Sequence, residues 1–142
     1  MNMKNLLLIF TLVITSIVSA QDSTAVKAEA PKIVSKLMYG NTLKVEDLEF
    51  KFVAVESDSR CPKGVQCVWA GEAIVLVDVF KNGNKLEQKR LVFSPTSQLQ
   101  NALGNLFSSE SLKVSGLNIV PYPESGSKIK IEDYYIQLAV KN

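Results

Sequence analysis

The sequence predicts an all-β fold: an antiparallel β-sandwich, or a partly open barrel, of about six to seven strands with little helix. Three observations carry this expectation. Tyr134, Ile136, Leu138 and Val140 alternate with Tyr135, Gln137, Ala139 and Lys141, the period of a strand with one buried face. Residues 73–80 are dense in β-branched side chains, with Ile74, Val75, Val77 and Val79. Asn82-Gly83-Asn84 separates that run from a second strand-like run, as a tight hairpin turn does.

From the start of the chain, residues 1–20 read as an export signal. Lys4 supplies a positive charge, and residues 6–18 are apolar except for Thr11, Thr15 and Ser16. Val18-Ser19-Ala20 places small residues at positions −3 and −1 of a cut before Gln21. The apolar run is shorter than the roughly 20 residues of a spanning helix, which argues against an uncleaved anchor. No cysteine lies beside the cut, so a lipoprotein route is not supported. Residues 21–31 are small and charged with no aromatic ring, a tail or tether. Residues 32–142 are the single folded domain.

Within it, residues 33–38 read as a first strand and Gly40-Asn41 as a turn. Leu43 and Val45 follow, then a strand over 48–55 with Leu48, Phe50, Phe52 and Ala54 on one face. Residues 73–80 are apolar on both faces except at Asp78, which suits a central strand. Residues 85–93 are heavily charged, as a solvated or edge strand is. Leu99, Leu103 and Leu106 recur at helical spacing, and Ser97 can cap, so 94–111 reads as a loop with one short helix. Gly104 opposes that helix by about 1 kcal/mol. Residues 112–120 form another strand, Gly116 marking a bulge, stopped by Pro121-Tyr122-Pro123; residues 124–127 are a turn.

Composition excludes several classes. With 142 residues and no histidine, there is no Ser-His-Asp triad, Cys-His pair or histidine metal site. The formal net charge is +2, and removing Lys4 with the signal brings it to +1, so there is no basic stripe for nucleic acid. The mature chain buries about two-thirds of its unfolded surface, enough for one core.

The domain is organised around residues 58–72, which hold both cysteines and the only tryptophan. Pro62 and Gly64 argue for a turn. Two cysteines in an exported protein most simply pair, so Cys61 and Cys67 are expected to close a small ring, two reduced core thiols being the alternative. For a ring of about seven residues, chain entropy assigns ~2.4 kcal/mol. The spacing is not Cys-x-x-Cys and strand follows rather than helix, which disfavours redox catalysis.

The ring would present Arg60, Lys63 and Gln66 as contacts. Tyr122, stiffened by Pro121 and Pro123, is the best candidate for an exposed aromatic contact. For Arg60 the plainer reading is a pair with Asp58 or Glu72 that organises the turn. Trp69 is read as core, packed on the disulfide, because valines surround it. Gly71 and Glu72 complete the structural set. Asp58, Glu72, Asp78 and Asp133 are the acids nearest predicted strand ends, but no calcium-loop spacing joins them. No metal, cofactor or catalytic residue is assigned.

Asp-Ser-Arg-Cys-Pro at 58–62 and Cys-Val-Trp-Ala-Gly-Glu at 67–72 resemble the signature of small exported bacterial proteins of unknown function. Val120-Pro121-Tyr122-Pro123 and Asp133-Tyr134-Tyr135 fit as well, so the resemblance covers about residues 43–140. It implies an exported β-rich domain and no activity.

The expectation is therefore a periplasmic or secreted binding or structural module of the bacterial envelope, with a disulfide-stapled loop. Its partner would be an envelope protein, peptide or glycan, with no stable membrane insertion after signal cleavage. Two alternatives come from other classes: a carboxylate-dependent hydrolase of envelope polymers, and a protease inhibitor presenting Arg60.

Overall fold

The structure, a computed structural model, describes residues 33–95 and 104–142. The expected signal and tail (1–31) and the expected helix positions Ser97, Leu99 and Leu103 lie outside them. Among the described residues eight strands run in chain order: β1 (Ile33–Met38), β2 (Thr42–Val45), β3 (Leu48–Asp58), β4 (Ala73–Lys81), β5 (Asn84–Phe93), β6 (Asn105–Ser108), β7 (Lys113–Val120) and β8 (Tyr135–Lys141). They form two four-stranded sheets, ordered β1-β8-β7-β6 and β2-β3-β4-β5, and every neighbouring pair is antiparallel. This is the predicted sandwich.

The inner faces supply the core. Phe50 and Phe52 of β3, Val75, Val77 and Val79 of β4, and Leu91 of β5 join Leu37, Leu106, Val114, Ile119, Ile136 and Leu138 of the other sheet in one buried cluster. Each such side chain contributes about 1.5–3 kcal/mol when fully buried. Several of them together outweigh any single crosslink.

The strand patterns set this arrangement locally. β4 lies inside its sheet and the charged β5 at its edge, as their compositions require. Asn82 and Gly83 both adopt positive φ, 51° and 78°, the geometry of a two-residue hairpin turn whose twist matches the strands. The β7–β8 register shifts between Gly116 and Asn118, placing the bulge at the predicted glycine. A Cβ on Gly116 would lie 2.9 Å from Phe93 Cζ, so the two sheets approach too closely there for a larger residue.

Three local expectations are corrected. Register shifts after Phe52 and after Val55 interrupt the alternation of β3, so Val55 rather than Ala54 packs against the core. Leu106 belongs to strand β6, not to a helix; it is fully buried, and β6 pairs with β7, so tertiary burial overrides the helical spacing. Two short strands raise the count above the expected number: β6, and β2, which is set off from β3 by Glu46 at φ 56°.

The β3–β4 and β7–β8 connections emerge at one end of the sandwich, where hydrogen bonds join them. The organising segment of the sequence sits there.

Candidate functional site

The β3–β4 ladder continues past the strand ends. Ser59 N donates to Glu72 O at 2.8 Å and Cys61 N to Ala70 O at 2.9 Å. The Ser59 hydroxyl donates to Glu72 O at 3.0 Å and accepts from Glu72 N at 3.2 Å, so Glu72 holds the loop through its backbone. Gly71 makes the crossing possible: its φ is +68°, and a Cβ there would sit 1.9 Å from Ser59 O. Beyond this neck, Cys61 and Cys67 are disulfide-bonded with Cα atoms 5.9 Å apart. The crosslink closes the loop's tip.

Arg60 turns inward. Its side chain is only 5% exposed and forms a two-point pair with Asp58: Nε donates to Oδ1 at 2.8 Å and Nη2 to Oδ2 at 2.6 Å. Nη1 also donates to Ile119 O and Nη2 to Pro121 O, both at 2.8 Å. Tyr134 Oη donates to Asp58 Oδ2 at 2.8 Å. One guanidinium thus ties the end of β3 to the end of β7, and Asp58 carries the tie on to the start of β8. Of the two acids proposed as Arg60 partners, Asp58 is the one engaged.

The electrostatics follow. Burial alone would raise the Asp58 pKa, but the hydrogen bonds and charge of Arg60, with the Tyr134 hydroxyl, hold it below the ordinary carboxylate value. Burial and the hydrogen bond to the Asp58 carboxylate push the Tyr134 phenol up to about 12. A lowered carboxylate stabilises the fold above its unfolded pKa of about 3.9, and that stability is lost as pH falls through the folded value. A raised phenol stabilises the fold below its unfolded pKa of about 10, and that stability is lost as pH rises toward 12. The expected result is a fall in the urea midpoint across this alkaline window that is absent in Tyr134→Phe. Identical alkaline limbs in both proteins would assign the loss to other groups.

Lys63, Gln66 and Tyr122 lie on the outside of this clamp. Lys63 N donates to Pro123 O at 3.0 Å, and Ser125 N donates to Lys63 O at 3.3 Å, so the two loops run side by side. Lys63 Nζ stands 3.9 Å from a Glu124 carboxylate oxygen. The Tyr122 ring is 38% exposed, with Arg60 Cζ 5.0 Å and Lys63 Nζ 5.9 Å from its centroid. Gln66 is exposed at the loop tip.

Two site expectations change. Trp69 is not core: it is 83% exposed and Val68 90%. They follow the disulfide and precede the Ala70 ladder bond, on the part of the loop beyond the strands, so no sheet face is opposite to cover them. Arg60 is not a presented contact, because its charge and four of its five side-chain donors are engaged inside the domain. The inhibitor alternative needs that side chain to enter a partner's pocket.

Val65, Val68 and the Asp58–Tyr134 bond were missed from sequence. The signal for that bond was the pair of weak motifs, Val120-Pro121-Tyr122-Pro123 and Asp133-Tyr134-Tyr135, which the fold brings against Asp58 and Arg60.

Two clefts, each of about 300 Å³, border this end, and Tyr122 lines both. Arg60, Phe93, Leu117 and Asn118 contribute to the first. Glu124, Ser127, Lys128, Ile129 and Asp133 contribute to the second, so two acidic residues line it. Among the other acids considered, Asp58 is committed to Arg60 and Asp78 to Lys85 and Gln88. Comparison of the chain with protein-family models, curated proteins and solved structures found no match.

Proposed function

We propose that this protein is an exported binding module whose contact surface is the end of the sandwich built by the β3–β4 and β7–β8 loops, and that it engages a component of the bacterial envelope. The carrying observation is the exposure of Val68 and Trp69, 90% and 83%, between the disulfide-closed ring and the Ala70 ladder bond of a loop clamped from behind by Arg60. An exposed tryptophan offers large contact area, and a loop held rigid before binding loses less entropy on docking. Lys63, Gln66 and Tyr122 supply polar and aromatic contacts beside the tip. Arg60 serves by position, holding the two loops together. The paired cysteines fit an oxidising compartment, which supports export.

Affinity capture from a solubilised envelope fraction tests this reading. Trp69→Ala with Val68→Ser is expected to reduce recovery of the wild-type partner by about tenfold or more, the scale of a binding hot spot. Leu86→Ser on β5, an exposed apolar site outside these loops, is the control. All three positions are exposed, so stability should move by only about 0.5 kcal/mol. An unchanged set of captured partners in the double variant removes the loop tip as the binding surface.

A further inference from the structure

We propose that the second cleft beside Tyr122 is a subsite for one neutral sugar ring of a glycan. The inference goes beyond the loop-tip reading: it is a second site, built by the β7–β8 loop and independent of Trp69. Its first support is charge. The acidic residues Glu124 and Asp133 and the basic residue Lys128 line the cleft, and Lys63 of the neighbouring loop, outside the lining, stands 3.9 Å from Glu124. The formal charges cancel, so neither a cation nor an anion meets an uncompensated partner.

The same groups suit hydroxyls. Carboxylates only accept hydrogen bonds and ammonium groups only donate them, whereas each sugar hydroxyl does both. Ser127, which also does both, lies among them.

The second support is the aromatic wall. Tyr122 is 38% exposed and forms part of this cleft, with Arg60 Cζ 5.0 Å and Lys63 Nζ 5.9 Å from its ring centroid. An aromatic ring takes the apolar C–H face of a pyranose while polar neighbours take its hydroxyl edge. The third is size. About 300 Å³ is the lower end of small-ligand sites, which suits a single ring rather than an extended chain. The site is also held: Ser127 N donates to Glu124 O, closing the turn around Gly126, and Lys63 N fixes Pro123 O.

The test uses the full exported chain with two neutral probes, the tetramer of N-acetylglucosamine and maltotetraose, in saturation-transfer NMR and calorimetry. Saturation transfer to at least one tetramer is expected. Tyr122→Ala should weaken it about tenfold and Tyr122→Phe by less than about threefold, because stacking needs the ring and not the hydroxyl. Asp133→Asn and Lys128→Ala change exposed side chains and should each weaken it by roughly threefold to tenfold, which keeps the test valid if Tyr122→Ala folds poorly. Leu86→Ser on β5, outside both loops, should leave tetramer binding unchanged.

No transfer to either tetramer at millimolar concentration overturns the inference, as does binding that survives the Asp133 and Lys128 changes. Tighter binding of a tetragalacturonate probe would overturn neutrality. Loss of tetramer binding on Trp69→Ala would also overturn it, by placing the glycan on the loop tip. If the tetramers fail while envelope capture still depends on Trp69, only this inference falls; if capture fails while the tetramers bind, only the loop-tip reading does.

Discussion

Arg60→Ala will lower the stability of the domain by about 3–5 kcal/mol, the cost of removing one partner from a buried ion pair. Arg60 is buried and Asp58 half-buried, with side-chain exposures of 5% and 10%. Alanine leaves the Asp58 carboxylate with only the Tyr134 hydroxyl and the backbone N–H of residue 60, and strips the donors from Ile119 O and Pro121 O. A typical domain has about 5–15 kcal/mol in total, so this one change consumes much of it. The melting temperature should fall by roughly 10–20 °C for a domain of this size.

Lysine will not rescue the position, since one ammonium cannot span both carboxylate oxygens and two carbonyls on opposite sides. Urea unfolding should be followed by far-ultraviolet circular dichroism, because Trp69 is already exposed in the folded state and its fluorescence reports poorly. A loss below about 1 kcal/mol, the worth of an exposed pair, would falsify the clamp.

Gly71→Ala will cost about 3 kcal/mol or more. The left-handed φ of +68° alone costs a non-glycine residue about 1–2 kcal/mol. The new Cβ would also fall 1.9 Å from Ser59 O, a backbone atom that cannot rotate away, so the neck must open. Opening it weakens the Ser59–Glu72 and Cys61–Ala70 hydrogen bonds, each worth about 0.5–1.5 kcal/mol. Gly64→Ala is the matched control. Its φ is +81°, but nothing lies within 4 Å of the added Cβ, so only the backbone cost of about 1–2 kcal/mol applies. Equal destabilisation of the two variants in urea would show that the close approach at Gly71 carries no weight. The disulfide does not compensate, because it closes the tip beyond the neck and leaves residues 59 and 71–72 unconstrained.

Much of the architecture was legible because it depends on neighbours in the chain. The alternation in β8, the β-branched run of β4 and the charges of β5 each state how many faces are buried, and strand order agrees. Asn82-Gly83 specified its hairpin through the φ values it tolerates. Where local pattern and tertiary burial competed, burial won: Leu106 went into a strand, and the β3 bulges exchanged Ala54 for Val55.

The site was less legible for the same reason. From the sequence, Pro62 and Gly64 argue for a turn between two strands and Cys61 with Cys67 most simply pair, two reduced thiols being the alternative; the structure shows the disulfide. The sequence did not determine which side chains that turn shows. The plainer sequence reading of Arg60, a pair with Asp58 or Glu72, holds for Asp58, but the carbonyls of Ile119 and Pro121, 59 and 61 residues away, that bury it were not legible. Trp69 looks like core until the strands stop short of it. A charged group is buried only where all its donors find acceptors, and a tryptophan is covered only where another layer faces it. Both conditions concern distant parts of the chain, so they are met or missed only once the sheets have assembled.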